Sequence, residues 1–189
     1  MSAAIAAATP SGRSPHHVPP APRRTDAQRM YFEAPAYYRA QRCDPPAVFL
    51  AGGISGIAEH WHDRAVEALF AAPDPVVILN PNRASFPIND PGAGWGQVSW
   101  EQHHLHLADV TLFWFPACDA AVTTQPIAMF ELGQGLGEGR SIVVGAHPDY
   151  PREADVHMLC QLARPGLPVY SSLDDVLAAT IVLLGTTGR

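Results

Sequence analysis

Four short apolar runs constrain the fold of this chain more than any other feature. They are Ala47-Val48-Phe49-Leu50-Ala51, Val76-Val77-Ile78-Leu79, residues 110–115 and Ser141-Ile142-Val143-Val144-Gly145. Nearly continuous and bounded by turn residues, they have the character of strands buried on both faces. The segments between them read as helices. In 58–72 the positions Trp61, Ala65 and Leu69 recur at fours, with Ala68 and Ala72 beside them. A long loop is predicted over 80–96, after which Ser99-Trp100-Glu101-Gln102 matches a capping box and starts a helix ending near 108. Pro126 suits a first helical position, and glycines 137 and 139 close that helix. A helix over 155–163, a short edge strand over 168–170 and a last helix capped by Ser172 and running to about 184 complete the chain.

Strands alternating with helices at this spacing imply right-handed βαβ units. The expected architecture is a flavodoxin-like three-layer α/β/α sandwich with a five-stranded parallel sheet, order 2-1-3-4-5. Ligands of such sheets bind beyond the carboxyl ends of the strands, where the order reverses. That rim collects the loops after Ala51, after Leu79 and after Phe115.

At 189 residues with 47% apolar content, one domain with a full core is expected. Residues 47–189 form it. Residues 1–46, rich in Pro and Ala, read as a largely disordered leader, with 1–29 a tail that cannot offset its ordering entropy. Tyr31, Phe32, Tyr37 and Tyr38 form an aromatic patch that packs on the domain or a partner subunit, the one ordered part of the leader. A net charge of −6 argues against a grip on nucleic acid polymers or an anionic membrane. Cys43, Cys118 and Cys160 are widely spaced and form no CxxC pair, as in a cytoplasmic protein with reduced thiols. No run nears the ~20 apolar residues of a membrane helix, and no positive region precedes the early alanines, so no signal peptide is expected.

Several residues carry candidate chemistry. Gly52-Gly53-Ile54-Ser55-Gly56 joins a strand to a helix, where backbone N–H groups can hold an anion or a sugar hydroxyl, or the glycines serve a tight turn. It matches neither GxGxxG nor GxxxxGK[ST]. His103, His104 and His106, with His60 and His62, invite a metal, but His104 and His106 point to different helix faces and HExxH is absent. A solvated or partly packed histidine helix is expected, with no metal and no cofactor. Asn80-Pro81-Asn82-Arg83 and Phe86 supply amides, a guanidinium and an aromatic suited to a nucleoside or its phosphate, and Trp95 and Trp100 could stack on a base or anchor the core.

Glu131 stands in the opening turns of the helix begun by Pro126, where Ile127, Phe130 and Leu132 supply apolar bulk for docking on a sheet. From there it can look back into the cleft. Asp109 is the second carboxylate of interest, although its place before a strand assigns it to the opposite rim unless a loop brings it inward. Two nearby carboxyls suit glycosyl transfer, one attacking the anomeric carbon and one assisting the leaving base. No Gly-x-Ser-x-Gly elbow is present.

As a set these residues resemble the nucleoside 2-deoxyribosyltransferase-like family. The match is carried by Val48-Phe49-Leu50-Ala51-Gly52-Gly53-Ile54-Ser55-Gly56, Leu79-Asn80-Pro81-Asn82-Arg83, Trp100-Glu101, Ala108-Asp109, Phe113-Trp114-Phe115-Pro116, Pro126-Ile127 and Phe130-Glu131-Leu132-Gly133. Val143-Val144-Gly145, His147-Pro148-Asp149-Tyr150-Pro151-Arg152 and Asp155-Val156 extend it over about 47–180.

The resemblance implies a flavodoxin-like fold and a double displacement on N-glycosides, with Glu131 as nucleophile and Asp109 near the base and that glutamate. Gly52, Gly53, Ser55, Asn80, Asn82, Arg83 and Gln125 would shape the sugar or phosphate pocket. Gln125 stands where the classical transferases carry an acid, and Phe49 where they carry a tyrosine or phenylalanine. The implied activity is deoxyribosyl transfer or hydrolysis on a nucleoside or nucleotide, in a homo-oligomer. The alternative is a non-catalytic nucleotide-binding or sensing module on the same fold.

Overall fold

A computed structural model describes residues 29–57, 59–87 and 89–187. The disordered tail expected over 1–29 therefore lies outside the described residues, apart from its last position. Eleven elements follow in order: β1 (Arg29–Glu33), β2 (Ala47–Gly52), α1 (Trp61–Ala71), β3 (Val76–Asn80), α2 (Ala93–Leu107), β4 (Val110–Phe115), α3 (Pro126–Gly137), β5 (Ile142–Ala146), α4 (Glu153–Ala163), β6 (Val169–Tyr170) and α5 (Leu173–Thr186).

The strands pair in parallel in the order β1-β3-β2-β4-β5-β6. Setting β1 aside, this is the expected 2-1-3-4-5 order, and helices cover both faces. The count of five is corrected to six, because part of the leader joins the sheet. Met30 pairs with Val77 and Phe32 with Leu79, so β1 covers an edge of β3 that would otherwise be open. The domain therefore begins before residue 47. Tyr38 is buried in its core, and Tyr31 Oη donates to Glu33 Oε2 while accepting from Asn80 Nδ2.

The two-residue period of the strands divides the core. On one face Phe49, Leu79, Phe113 and Phe115 pack with Trp100 and Leu132 from α2 and α3. On the other Leu50, Ile78, Leu112 and Trp114 pack with Trp61 from α1 and Val176 from α5. Alternate residues of one strand thus serve opposite layers, which is why these runs are apolar throughout.

Two expected helices differ from the structure. α2 starts at Ala93, six residues before the Ser99 capping box, so the 80–96 loop is shorter than expected. Ser99 lies mid-helix, and the entry is held by Asp90, whose Oδ1 accepts from Gly92 N at 2.8 Å. The burial of Ala93 and Trp100 on one face extends the helix backwards past Gly94 and Gly96 despite their poor propensity. In α3 the docking face is Ala128, Leu132 and Leu136, with Glu131 among them, whereas Ile127 and Phe130 are exposed. The Ser172 cap of α5 is present, its Oγ accepting from Asp175 N.

Candidate active site

Between β2 and β4 the chain reverses its direction across the sheet, and a cavity of about 300 Å³ opens beyond their carboxyl ends. It is built by the end of β2 and the loop after it, by Pro81 and Phe86 of the loop after β3, by the first turns of α2, and by Thr123, Gln125 and the amino-terminal end of α3.

The loop after β2 is shaped by its glycines. A Cβ on Gly52 would fall 2.0 Å from the carbonyl oxygen of Trp114, so only glycine lets β2 and β4 approach there. A Cβ on Gly53 would sit 2.7 Å from the Gln125 side chain. Trp61 Nε1 donates to the Gly53 carbonyl at 2.9 Å and fixes the loop from below. Gln125 itself is the residue before α3 and adopts a left-handed backbone, φ 53°, unusual for a residue with a side chain. Its Nε2 donates to the Pro116 carbonyl, which leaves Oε1 buried without a partner. Tyr150 Oη donates to the Thr124 carbonyl and holds the same turn from α4's side, and burial raises its phenol to about 12.

Glu131 lies one and a half turns into α3, 6% exposed, and lines the cavity. Its partner there is Glu101, 7% exposed, on α2. Burial, and then the negative charge of Glu101, push the Glu131 carboxyl up to about 8. Burial also raises Glu101, but Gln97 Nε2 donates to its Oε1 at 2.9 Å and favours its ionised form. The same Nε2 donates to the Pro81 carbonyl, tying α2 to the loop after β3. Near neutral pH Glu131 therefore holds a proton, and the second carboxyl lining the cavity is one that burial raises and the Gln97 amide lowers.

Asp109 does not join this pair. It precedes β4 at the amino-terminal edge of the sheet, where its Oδ2 accepts from Ala47 N at 2.8 Å and its N–H donates to the Ala47 carbonyl. The length of β2, roughly 17 Å at ~3.3 Å per residue, separates that edge from the cavity. Its carboxylate is a clamp between strand starts, and no loop brings it inward.

Of the other expected site residues, Gly52, Gly53, Ser55 and Gln125 line the cavity, and Phe49 forms part of its floor. Asn80, Asn82 and Arg83 do not line it. Asn80 Oδ1 accepts from Asn82 N, and its amide reaches β1, so both serve the loop's shape. Arg83 lies 4.5 Å over the ring of Phe86, which does line the cavity. Trp100 is in the core and Trp95 is 80% exposed outside the cavity. His104 is buried, bonded to Trp100 O and Tyr38 N. Among the described residues no group of three or more His, Cys, Asp and Glu could hold a metal.

Glu101 and Gln97 were missed as site residues by sequence reasoning. Their spacing of four, one helical face, was the available signal, hidden when the helix start was set at Ser99.

These features define an α/β protein with a buried pair of glutamates at the topological switch of a parallel sheet. The family model for nucleoside 2-deoxyribosyltransferase-like proteins matches residues 45–150, and the chain belongs to that family. No curated protein matches the chain. A solved structure, a conserved protein from Enterococcus faecalis V583, aligns at 18% identity and TM-score 0.42 over 74% of this chain and 87% of that one. No described helix is long and apolar enough to cross a membrane.

Proposed function

We propose that the protein cleaves the N-glycosidic bond of a nucleoside or nucleotide. The Glu131 carboxylate attacks the anomeric carbon, and the electrons of the C–N bond leave with the base. The base nitrogen takes the proton shared by the carboxyl pair, with Glu101 as its carrier. Water or a second base then displaces the sugar from Glu131, giving hydrolysis or transfer. The observation that carries this reading is the Glu101–Glu131 pair itself, two buried carboxyls lining one cleft at the carboxyl edge of the sheet. Family membership supports the nucleoside as substrate class.

The test is incubation with nucleosides, deoxynucleosides, nucleotides and NAD, following base release by chromatography. Activity unchanged in Glu131→Ala would sink the mechanism. Release in water alone marks a hydrolase, and release that needs an added base marks a transferase.

Gln125, neutral where the classical transferases carry an acid, favours a second reading, a binding or sensing module. Ligand-induced thermal stabilisation without turnover would select it. The same proposal includes a homo-oligomer, supported by exposed Trp95, Ile127 and Phe130, of which Ile127 lines the cavity, and checked by light scattering. A cytoplasmic setting is supported by Cys43, Cys118 and Cys160, all free thiols.

A further inference from the structure

Gln97 uses both hydrogens of its amide inside the chain. Nε2 donates to the Pro81 carbonyl at 2.8 Å and to Glu101 Oε1 at 2.9 Å. The opposite orientation would set an oxygen against two acceptors, so this one is fixed by chemistry. Its consequence is a Gln97 Oε1 that is buried without a partner. A brace kept for stability alone gains nothing from such an orphaned oxygen. Both ends of the bridge are held. Asn80 Oδ1 accepts from Asn82 N at 2.9 Å across Pro81, and Gln97 and Glu101 stand four apart on one face of α2. The amide thus ties the Glu101 carboxyl to the loop after β3 and leaves Oε2 as the oxygen that no described residue bonds.

In a protonated carboxyl the carbonyl oxygen is the better acceptor, so an N–H on Oε1 keeps the proton off that atom. We propose that Gln97 is the positioning residue of the acid in the N-glycosidic cleavage, assigning Glu101 Oε2 as the atom that delivers the proton to the leaving base. The proposal rests on that reading of the cleft. The proton leaves Glu131, forms an O–H bond at Glu101 Oε2, and passes to the base nitrogen as the C–N electrons arrive there. Glu131 thereby becomes the carboxylate that attacks. Burial raises the Glu101 carboxyl and the Gln97 N–H opposes it, which makes Glu101 a stronger acid once protonated. Among the described residues lining the cavity, Glu131 on α3 is the other titratable group, and the loops after β2 and β3 contribute none. Arg83 lies over Phe86 outside the lining, and His104, three residues on in α2, is bonded to Trp100 O and Tyr38 N.

The test uses the full-length chain, native and Gln97→Met, which keeps the length of the arm and removes the donor. With a compound that the native chain turns over, kcat should fall roughly 10- to 100-fold, the range of one hydrogen bond to a charged group. KM should stay within about twofold, because the amide acts through Glu101 and not on the substrate. In chain carrying 13C-labelled glutamate, the Glu101 carboxyl should titrate about one pH unit or more higher in Gln97→Met by NMR. A raised KM with kcat unchanged would make Gln97 a substrate contact and overturn the proposal. So would a lowered melting temperature with the Glu101 titration in place, the result expected of a brace. Gln97→Glu gives an independent check: once ionised it donates to neither acceptor, so kcat should fall more steeply with rising pH than in the native chain. A native pH dependence in that variant overturns the proposal. If the native chain releases no base from any compound, the cleavage reading fails by itself. The Glu101 titration then still decides whether Gln97 governs that carboxyl, a shift upholding it and an unmoved titration overturning it.

Discussion

Glu101 and Glu131 face one cavity from two helices, and burial, with the charge of the first added to it, holds the proton on the second. Glu131 at about 8 is protonated at neutral pH, so the proposed nucleophile is masked until a proton is handed on. Because the proposed step spends the proton that Glu131 holds, kcat/KM should fall as pH rises through about 8. Glu101→Gln removes the charge, so that inflection should move to lower pH while kcat falls by roughly 10²–10⁴, the worth of a positioned acid. An inflection that stays in place in Glu101→Gln would disprove the coupling.

Stability should follow the same group. Its folded pKa lies above the unfolded carboxyl value of 4.5, so its contribution is fully present below pH 4.5 and is lost as pH rises through about 8. Glu131→Gln removes that dependence. Differential scanning calorimetry should find the variant a few degrees more stable than the native chain at pH 9, on a scale of about 2–4 °C per kcal/mol for this size, with a smaller difference at pH 5.

Asp109→Ala separates the clamp from the chemistry. The Ala47 N–H loses its acceptor at the start of β2, costing about 1–3 kcal/mol in urea unfolding. Turnover per folded molecule should stay within about twofold of the native chain, because the cavity lies a strand's length away. Loss of turnover in a folded Asp109→Ala would restore it to the site.

Gly53→Ala aims at the opposite wall. The new Cβ meets the Gln125 amide at 2.7 Å and must displace it. KM should rise about tenfold, the worth of one buried hydrogen bond, with a melting temperature close to native, as measured in parallel assays.

His104 joins the β1 segment to α2. Its Nε2 accepts from Tyr38 N at 3.0 Å, so the ring hydrogen sits on Nδ1 and is donated to Trp100 O at 2.7 Å. Burial, with the neighbouring His103 charge, lowers its pKa below 6.5, so its contribution is present above pH 6.5 and is lost as pH falls below it. Limited proteolysis should show residues 34–44 cut faster at pH 5 than at pH 7.5. A cleavage rate independent of pH would contradict this.

Much of this was legible in the chain. The strands at 47–52, 76–80, 110–115 and 142–146 could be read because burial on both faces leaves an apolar run with few competing readings. β1 could not be read that way. Arg29-Met30-Tyr31-Phe32-Glu33 at an edge carries charge at both ends, and its pairing with β3 is a long-range event. The start of α2 was masked by Gly94 and Gly96, whose cost is outweighed by burial of Trp100 and His104 that only packing reveals.

The layers, the order β3-β2-β4-β5-β6 and the place of Glu131 on the helix after β4 were legible in the chain alone. Local propensity, the two-residue period and the Pro126 start suffice for these. Only the tertiary structure decided which carboxyl stands beside it. Glu101 in the middle of α2 and Asp109 just past its end are both acidic, eight positions apart, and differ in which edge of the sheet they reach. Helix phase and the direction of β4 send Asp109 to the strand starts and leave Glu101 in the cleft, where burial raises both glutamates and makes them a pair.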